Sequence, residues 1–200
     1  MKKMIKDTVI LLAITVIAGF ILGFVYENTK ELIAERELQA KNEACKEVFK
    51  DAVEFKIMDV TAADVLVNAG YGATTIDEVA KALSADGEEL GYVLTITNSE
   101  GYGGDIQFTL GIKNDGTVNG ISILATSETP GLGLEAKDIL VPQYADKNVE
   151  QFAVTKGGAV ADNEIDAISG ATITSNAITN GVNAGLYFFN TELIGGGQDE

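Results

Sequence analysis

Two short segments of this 200-residue chain concentrate the residue types that could do chemistry: Ser127 to Gly133 (SETPGLG) and Asp166 to Ser175 (DAISGATITS). In the second, the hydroxyls of Ser169, Thr172, Thr174 and Ser175 cluster around Gly170 and Ala171. Gly170 allows a tight bend, and the small Ala171 leaves the backbone accessible. An apolar pattern of helical period follows directly. A helix N-terminus offers free N–H groups and a partial positive charge, so these letters outline a site for a phosphate held by Thr174. They fit equally an ordinary helix cap by Thr174 or Ser175.

Composition excludes many other chemistries. The chain has no histidine and no tryptophan, and Cys45 is its single cysteine. A Ser-His-Asp triad, a Cys-His pair, an intrachain disulfide, a thiolate iron–sulfur site and a His/Cys zinc site are therefore impossible. Redox chemistry would need an organic cofactor. Carboxylate sites for calcium or magnesium stay open, although no loop of the EF-hand type occurs, and no catalytic or metal-binding residue is assigned. The net charge is −16. Lys2, Lys3, Lys6 and Asp7 are the charges before Glu27, so the 14 basic and 30 acidic residues of the chain leave 11 and 29 beyond that point, a net of −18. Such a surface repels phosphate backbones, which argues against nucleic acid as a partner.

The elements that must position the two segments follow from periodicity. Residues 8–26 (TVILLAITVIAGFILGFVY) carry no charge and suit a transmembrane helix, without a signal-peptide cleavage site near the end. The lysines before it place residues 1–7 in the cytoplasm and the rest outside. Residues 27–54 are rich in helix formers, with Leu38, Cys45, Val48, Phe49 and Ala52 near one face, and predict a connecting helix in which Cys45 is a core residue. Between about Glu78 and Ala125 the period becomes two: Tyr92, Leu94 and Ile96 share a face, and Ile106, Phe108, Leu110 and Ile112 repeat it. Asp86-Gly87, Glu100-Gly101 and Asp115-Gly116 mark the turns. This predicts an α+β domain over 55–190, an antiparallel meander with one face packed against helices. Ser175 to Phe189 predicts the last helix, with Ile178, Val182, Leu186 and Phe189 on its buried face, and 191–200 a flexible tail.

The segment SGATIT, with Asp166 three residues before its serine, resembles the flavinylation motif of the FMN-binding domain family found in the G subunits of Rnf electron-transport complexes and the C subunits of sodium-pumping NADH:quinone reductases. Glu128-Thr129-Pro130-Gly131-Leu132-Gly133 is similar to that family's E-T-P-G-L-G loop, and Gly101-Tyr102 with Gly104 to its G-Y-x-G turn. The order of anchor, meander, the two motifs and terminal helix fits as well. The resemblance implies covalent FMN in phosphoester linkage to Thr174, placed by a separate flavin transferase that uses FAD. Asp166 would then belong to the transferase's recognition sequence, and Ser169, Gly170, Ala171 and Thr172 to the phosphate surroundings. Glu128, Thr129, Gly131, Leu132 and Tyr102 would lie beside the cofactor. Gly131 and Gly133 would allow close backbone approach to the isoalloxazine, Leu132 would cover a ring face, and Pro130 would fix the turn. Glu128 fits either a solvated loop carboxylate or a structural group next to the flavin. Many relatives carry histidine where this chain has Thr126.

The expected function is that of an electron-carrying subunit, without independent catalysis, in a membrane-bound, ion-translocating Rnf-type ferredoxin:NAD+ oxidoreductase. Its partners would be the other membrane subunits of that complex. The alternatives are the equivalent C subunit of the sodium-pumping NADH:quinone reductase, whose chains usually carry longer insertions, and a non-redox surface module with an anchor helix, which would have no use for either glycine loop.

Overall fold

The computed structural model describes residues 2–60 and 63–194. Helix α1 spans Lys2–Val48. By its internal contacts the chain divides into Met1–Ala40 and Lys41–Glu200. The first unit is helical, and its apolar side chains from Met4 to Tyr26 are exposed. That segment is long and apolar enough to cross a membrane.

The second unit begins with the last turns of α1. The helix ends at Val48, earlier than the sequence suggested, and Glu54 already belongs to strand β1 (Glu54–Met58). Pairing of β1 with β2 (Thr74–Leu83) overrides the helical propensity of residues 49–54, since a ladder of backbone bonds outweighs a few tenths of a kcal/mol per residue, about the spread of the propensity scale. Strands β3 (Glu89–Gly101), β4 (Gly104–Lys113) and β5 (Val118–Thr126) complete an antiparallel sheet in the order β1-β2-β3-β4-β5. The three turn signals fall at its hairpins, as expected. Helix α2 (Ala63–Asn68) connects β1 to β2.

The expected face of the sheet is the main core. Leu94, Ile96, Phe108, Leu110 and Ile112 are buried against helix α5 (Thr172–Phe188), which presents Ala177, Ile178, Val182 and Leu186. The helix sits close to the strands because Gly185 has no side chain: a Cβ there would stand 2.5 Å from Leu110 Cδ2 and 2.8 Å from Ile96 Cδ1. The opposite face is covered too, which the alternating pattern did not reveal. Cys45, Val48, Phe49 and Ala52 pack on Ala82 and Val93 in a second cluster, and burial pushes the Cys45 thiol pKa up. Cys45 is thus the small core residue expected of it.

Short elements close the far side of α5. Helix α3 (Ala136–Ile139) and helix α4 (Val141–Tyr144) lead to a two-stranded parallel sheet of β6 (Ala153–Thr155) and β7 (Glu164–Asp166). The Tyr144 hydroxyl bonds Thr179 at 2.7 Å, and Asn183 holds the Phe152 backbone N–H and C=O at 2.8 and 2.9 Å. Burial pushes the Tyr144 phenol far up, so it stays neutral. Phe189–Ile194 continue α5 as a π-helical turn, so the expected tail does not begin at 191. Residues 195–200 lie outside the described residues.

Candidate functional site

The segment before α5 is tied down from both ends. Gln143 accepts from the Asp166 N–H at 2.7 Å and donates to the Asp166 carbonyl at 3.2 Å, which fixes β7 against α4. Ala167 N then donates to Thr155 O at 2.9 Å. Beyond it the Ser175 hydroxyl accepts from the buried Ile168 N–H and donates to Ala171 O, each at 3.0 Å. These bonds set the path of residues 167–171 and consume the Ser175 oxygen.

The helix starts at Thr172, three residues before the expected position, with Ala171 at the N-cap and no side-chain cap bond. Neither Thr174 nor Ser175 is the cap. Thr172, Ile173 and Thr174 are instead the first three helical residues, whose N–H groups have no acceptor within the helix. The Thr174 side chain therefore stands inside the first turn, where the partial positive charge is largest.

The second segment arches over this turn. Leu132 N and Leu134 N both donate to Thr129 O at 3.2 Å, and Glu128 N donates to Thr126 Oγ at 3.3 Å. Thr126 thus serves as a local acceptor. The Glu128 carboxylate accepts from Gly103 N at 3.3 Å, which pins the loop to the β3–β4 turn. Glu128 is 4% exposed, so the solvated reading of this residue is wrong. Its burial could not be read from a loop sequence because the turn that covers it comes from residues 101–104. Gly133 stands where the segments meet: a Cβ there would lie 2.5 Å from Glu128 Oε2 and 2.8 Å from Thr174 Oγ. Leu132 reaches Gly170 in the same way, with Cδ2 3.1 Å from a Cβ placed on that glycine.

Between the two segments lies a cavity of about 440 Å³, lined by Tyr102, Glu128, Thr129, Leu132, Gly133 and Gly170 to Thr174. Of the residues expected at a site, Tyr102, Glu128, Thr129, Leu132, Gly170, Ala171, Thr172 and Thr174 are brought together. Ser169 is exposed, Gly131 turns the loop with φ +74°, and Asp166 lies in β7; none of the three lines the cavity. Ile173 was not singled out in the sequence, although its place between two threonines in the first turn was a signal. The depth of the cavity is polar, with Thr174 only 1% exposed, whereas its mouth is apolar: Leu132, Ile173 and Tyr102 are 40%, 53% and 71% exposed.

A phosphate-bearing flat aromatic such as FMN fits this arrangement. The volume falls in the range of roughly 300–1,000 Å³ usual for ligand pockets, the uncapped first turn suits the phosphate, and the apolar mouth suits a ring. Side-chain-free Gly133 and Gly170 keep the space between open.

A family model described as FMN-binding domain matches residues 101–187. The G subunit of the Na+-translocating ferredoxin:NAD+ oxidoreductase complex of Acetobacterium woodii is 34% identical over 193 residues, covering 94% of this chain and 92% of that protein. The G subunit of the proton-translocating ferredoxin:NAD+ oxidoreductase complex of Clostridium ljungdahlii is 34% identical, covering 83% and 80%. The G subunit of the ion-translocating oxidoreductase complex of Methanosarcina acetivorans is 29% identical, covering 96% and 97%. Among solved structures, NqrC of Shewanella oneidensis is similar with a TM-score of 0.49 at 18% identity, covering 72% of this chain and 70% of that one. With both motifs in place and relatives aligned over nearly the whole length, the chain belongs to the G-subunit family of Rnf-type ion-translocating oxidoreductase complexes and carries that family's FMN-binding domain.

Proposed function

We propose that this protein is the electron-carrying subunit of a membrane-bound, ion-translocating ferredoxin:NAD+ oxidoreductase, holding FMN by a phosphoester on Thr174. The observation that carries the reading is the meeting of the SGATIT turn and the ETPGLG loop at one cavity, with the Thr174 hydroxyl at its polar end. When bound, the isoalloxazine supplies the redox chemistry, and the protein sets its position, potential and contact with water.

Each part of the cavity has a distinct task in this reading. The N–H groups of Thr172, Ile173 and Thr174 face the phosphate. Leu132 and Ile173 form the apolar wall for the ring, and Tyr102 flanks the mouth. Glu128 ties its loop to the β3–β4 turn, and Ser175 ties the turn before α5 to the helix. Asp166 stands apart from the cavity, which fits a role in recognition by the flavin transferase rather than in cofactor contact. In this reading activity belongs to the assembled complex with its other membrane subunits.

The apolar run of residues 8–26 is the anchor, residues 27–48 lead from it into the domain, and the lysines before it favour a domain outside the cytoplasmic membrane. A tether is useful there, because a dissociable flavin would be lost to the medium.

Replacing Thr174 by alanine in the source cell tests the function. Membranes carrying Thr174→Ala should assemble the complex yet lose ferredoxin-dependent NAD+ reduction. Undiminished activity with normal subunit levels would contradict the carrier role. Protease added to spheroplasts should digest the domain, and protection until lysis would reverse the orientation.

A further inference from the structure

The two segments that wall the cavity are joined outside it by one side chain that neither motif contains. From the ETPGLG loop the chain runs on in hydrogen-bonded turns: Glu135 N donates to Leu132 O at 3.1 Å and Leu140 N to Ala136 O at 2.9 Å. Residues 166–171 are tied as well, by Ala167 N to Thr155 O at 2.9 Å, Ile168 N to Ser175 Oγ at 3.0 Å and Ala171 N to Ile168 O at 3.0 Å. Gln143 spans the two runs. Its Nε2 donates to Ile139 O at 2.8 Å and to Asp166 O at 3.2 Å, and its Oε1 accepts from Asp166 N at 2.7 Å. The Asp166 N–H needs an oxygen opposite it, which sets the orientation of the amide, and both N–H donors of the carboxamide are then used. Among the described residues no other hydrogen bond joins residues 128–144 to residues 164–175. Gln143, Ile139 and Asp166 all stand outside the lining of the cavity.

We propose that Gln143 is a positioning residue for the flavin: its carboxamide sets the separation between the loop that carries Leu132 and the turn that precedes α5, and with it the surroundings of the cofactor. This rests on the reading of the cavity as the FMN site. At the cavity the two segments only touch, Gly133 standing beside Thr174 Oγ and Leu132 Cδ2 against Gly170. Such contacts block closer approach yet hold the walls together only weakly, whereas the bonds of Gln143 are directional and resist separation. With those bonds cut, Leu132 is free to move off the turn and water gains entry beside the ring, which changes the energy of charge placed on the flavin. Gln143 acts through the backbones of Ile139 and Asp166.

The test uses the full-length protein in detergent, made together with its flavin transferase. Gln143→Met keeps the length of the side chain and makes none of the three bonds. Gln143→Glu keeps the acceptor for Asp166 N–H but, ionised, loses both donated bonds, so it cuts the link to Ile139 while one arm holds. Val48→Ala, in the cluster on the other face of the sheet, is the control for general destabilisation. All are read below their unfolding transitions and per bound flavin. Both Gln143 variants should shift the flavin's midpoint potential and its visible absorption and circular dichroism, while Val48→Ala leaves them at wild-type values. In flavin-free protein, made without the transferase, amide exchange at Asp166 should quicken in Gln143→Met by about threefold to tenfold, the loss of a hydrogen bond of ordinary worth. Potential and spectrum unchanged in either Gln143 variant, or shifted as far by Val48→Ala, would overturn the positioning role and leave the flavin in its place. A folded Gln143→Met protein that takes up no flavin would overturn it too, since the side chain would then govern capture rather than surroundings. Unchanged exchange at Asp166 would remove the tie on which the proposal stands. Wild-type protein that gains no flavin would overturn the reading of the cavity, and this role with it.

Discussion

Two cavities of the domain are nearly equal in size but differ in the side chains that line them. The one between the SGATIT turn and the ETPGLG loop measures about 440 Å³; the other, about 460 Å³, lies between the end of α1, the start of β5 and α4. The first is polar only at its depth and is walled by glycines and apolar side chains. The second sets Val48, Ile121, Val141 and Pro142 among four charged side chains, Glu47, Lys50, Asp51 and Asp146, which prefer water to an aromatic ring. Volume does not distinguish them. What does is the presence of a helix start without a side-chain cap, backed by a loop whose residues are held from three directions. The second cavity adjoins the other end of a helix, where Asn119 already bonds the Val48 carbonyl.

The contrast can be broken most directly by loosening one cavity and then the other. Ser175→Ala removes the partner of the buried Ile168 N–H and should cost about 1–3 kcal/mol, the usual penalty for an unpaired buried group. Asp51→Ala, an exposed residue at the second cavity, should stay within about 0.5 kcal/mol. Urea unfolding monitored by circular dichroism gives both values, and similar costs would mean that the side with the two motifs is not the specially supported one.

Leu132→Ala sharpens the same contrast at the cavity mouth. The side chain is partly exposed, so stability should fall by only about 1 kcal/mol, less than a fully buried leucine would lose. Covalent FMN should be retained, while the visible spectrum and midpoint potential shift as water reaches the ring. Unchanged spectrum and potential in the loaded variant would place Leu132 away from the isoalloxazine.

The smallest effect is a pH dependence confined to the loop between β6 and β7. Backbone N–H groups of Val160 and Ala161, bonded to the Glu164 carboxylate at 2.7 and 3.1 Å, hold its pKa below the ordinary glutamate value. A carboxyl whose folded pKa is depressed contributes stability above its unfolded pKa, and that contribution is lost as pH falls through the folded value. Protection of the Val160 and Ala161 amides, measured against their intrinsic exchange rates at each pH, should therefore fall on acidification below the glutamate range, while Ile168, held by a hydroxyl that does not titrate, keeps its protection. Equal loss at all three amides would mean that the whole domain loosens together.

Much of this was legible in the sequence where a single period or motif governs. The period-two spacing of Tyr92, Leu94 and Ile96 located β3, and the helical spacing of Ile178, Val182 and Leu186 located α5. The two motifs also named most of the residues that line the cavity. What stayed hidden depends on partners distant in sequence. Strand β1 exists because Leu83 and its neighbours pair with it, and β6 and β7 are three residues each, too short to show a period. The start of α5 was misplaced because Thr172 to Thr174 are β-branched, poor helix formers that tertiary packing holds in the first turn. Burial of Glu128 likewise required the β3–β4 turn to fold over it.

Peptide mapping of protein produced together with its flavin transferase decides whether the cavity holds a tethered cofactor. After denaturation and proteolysis, the peptide containing residues 166–175 should carry the mass of FMN less one water, with fragmentation placing it on Thr174. Flavin released on denaturation, or found on Thr172 or Ser175 instead, would contradict the assignment.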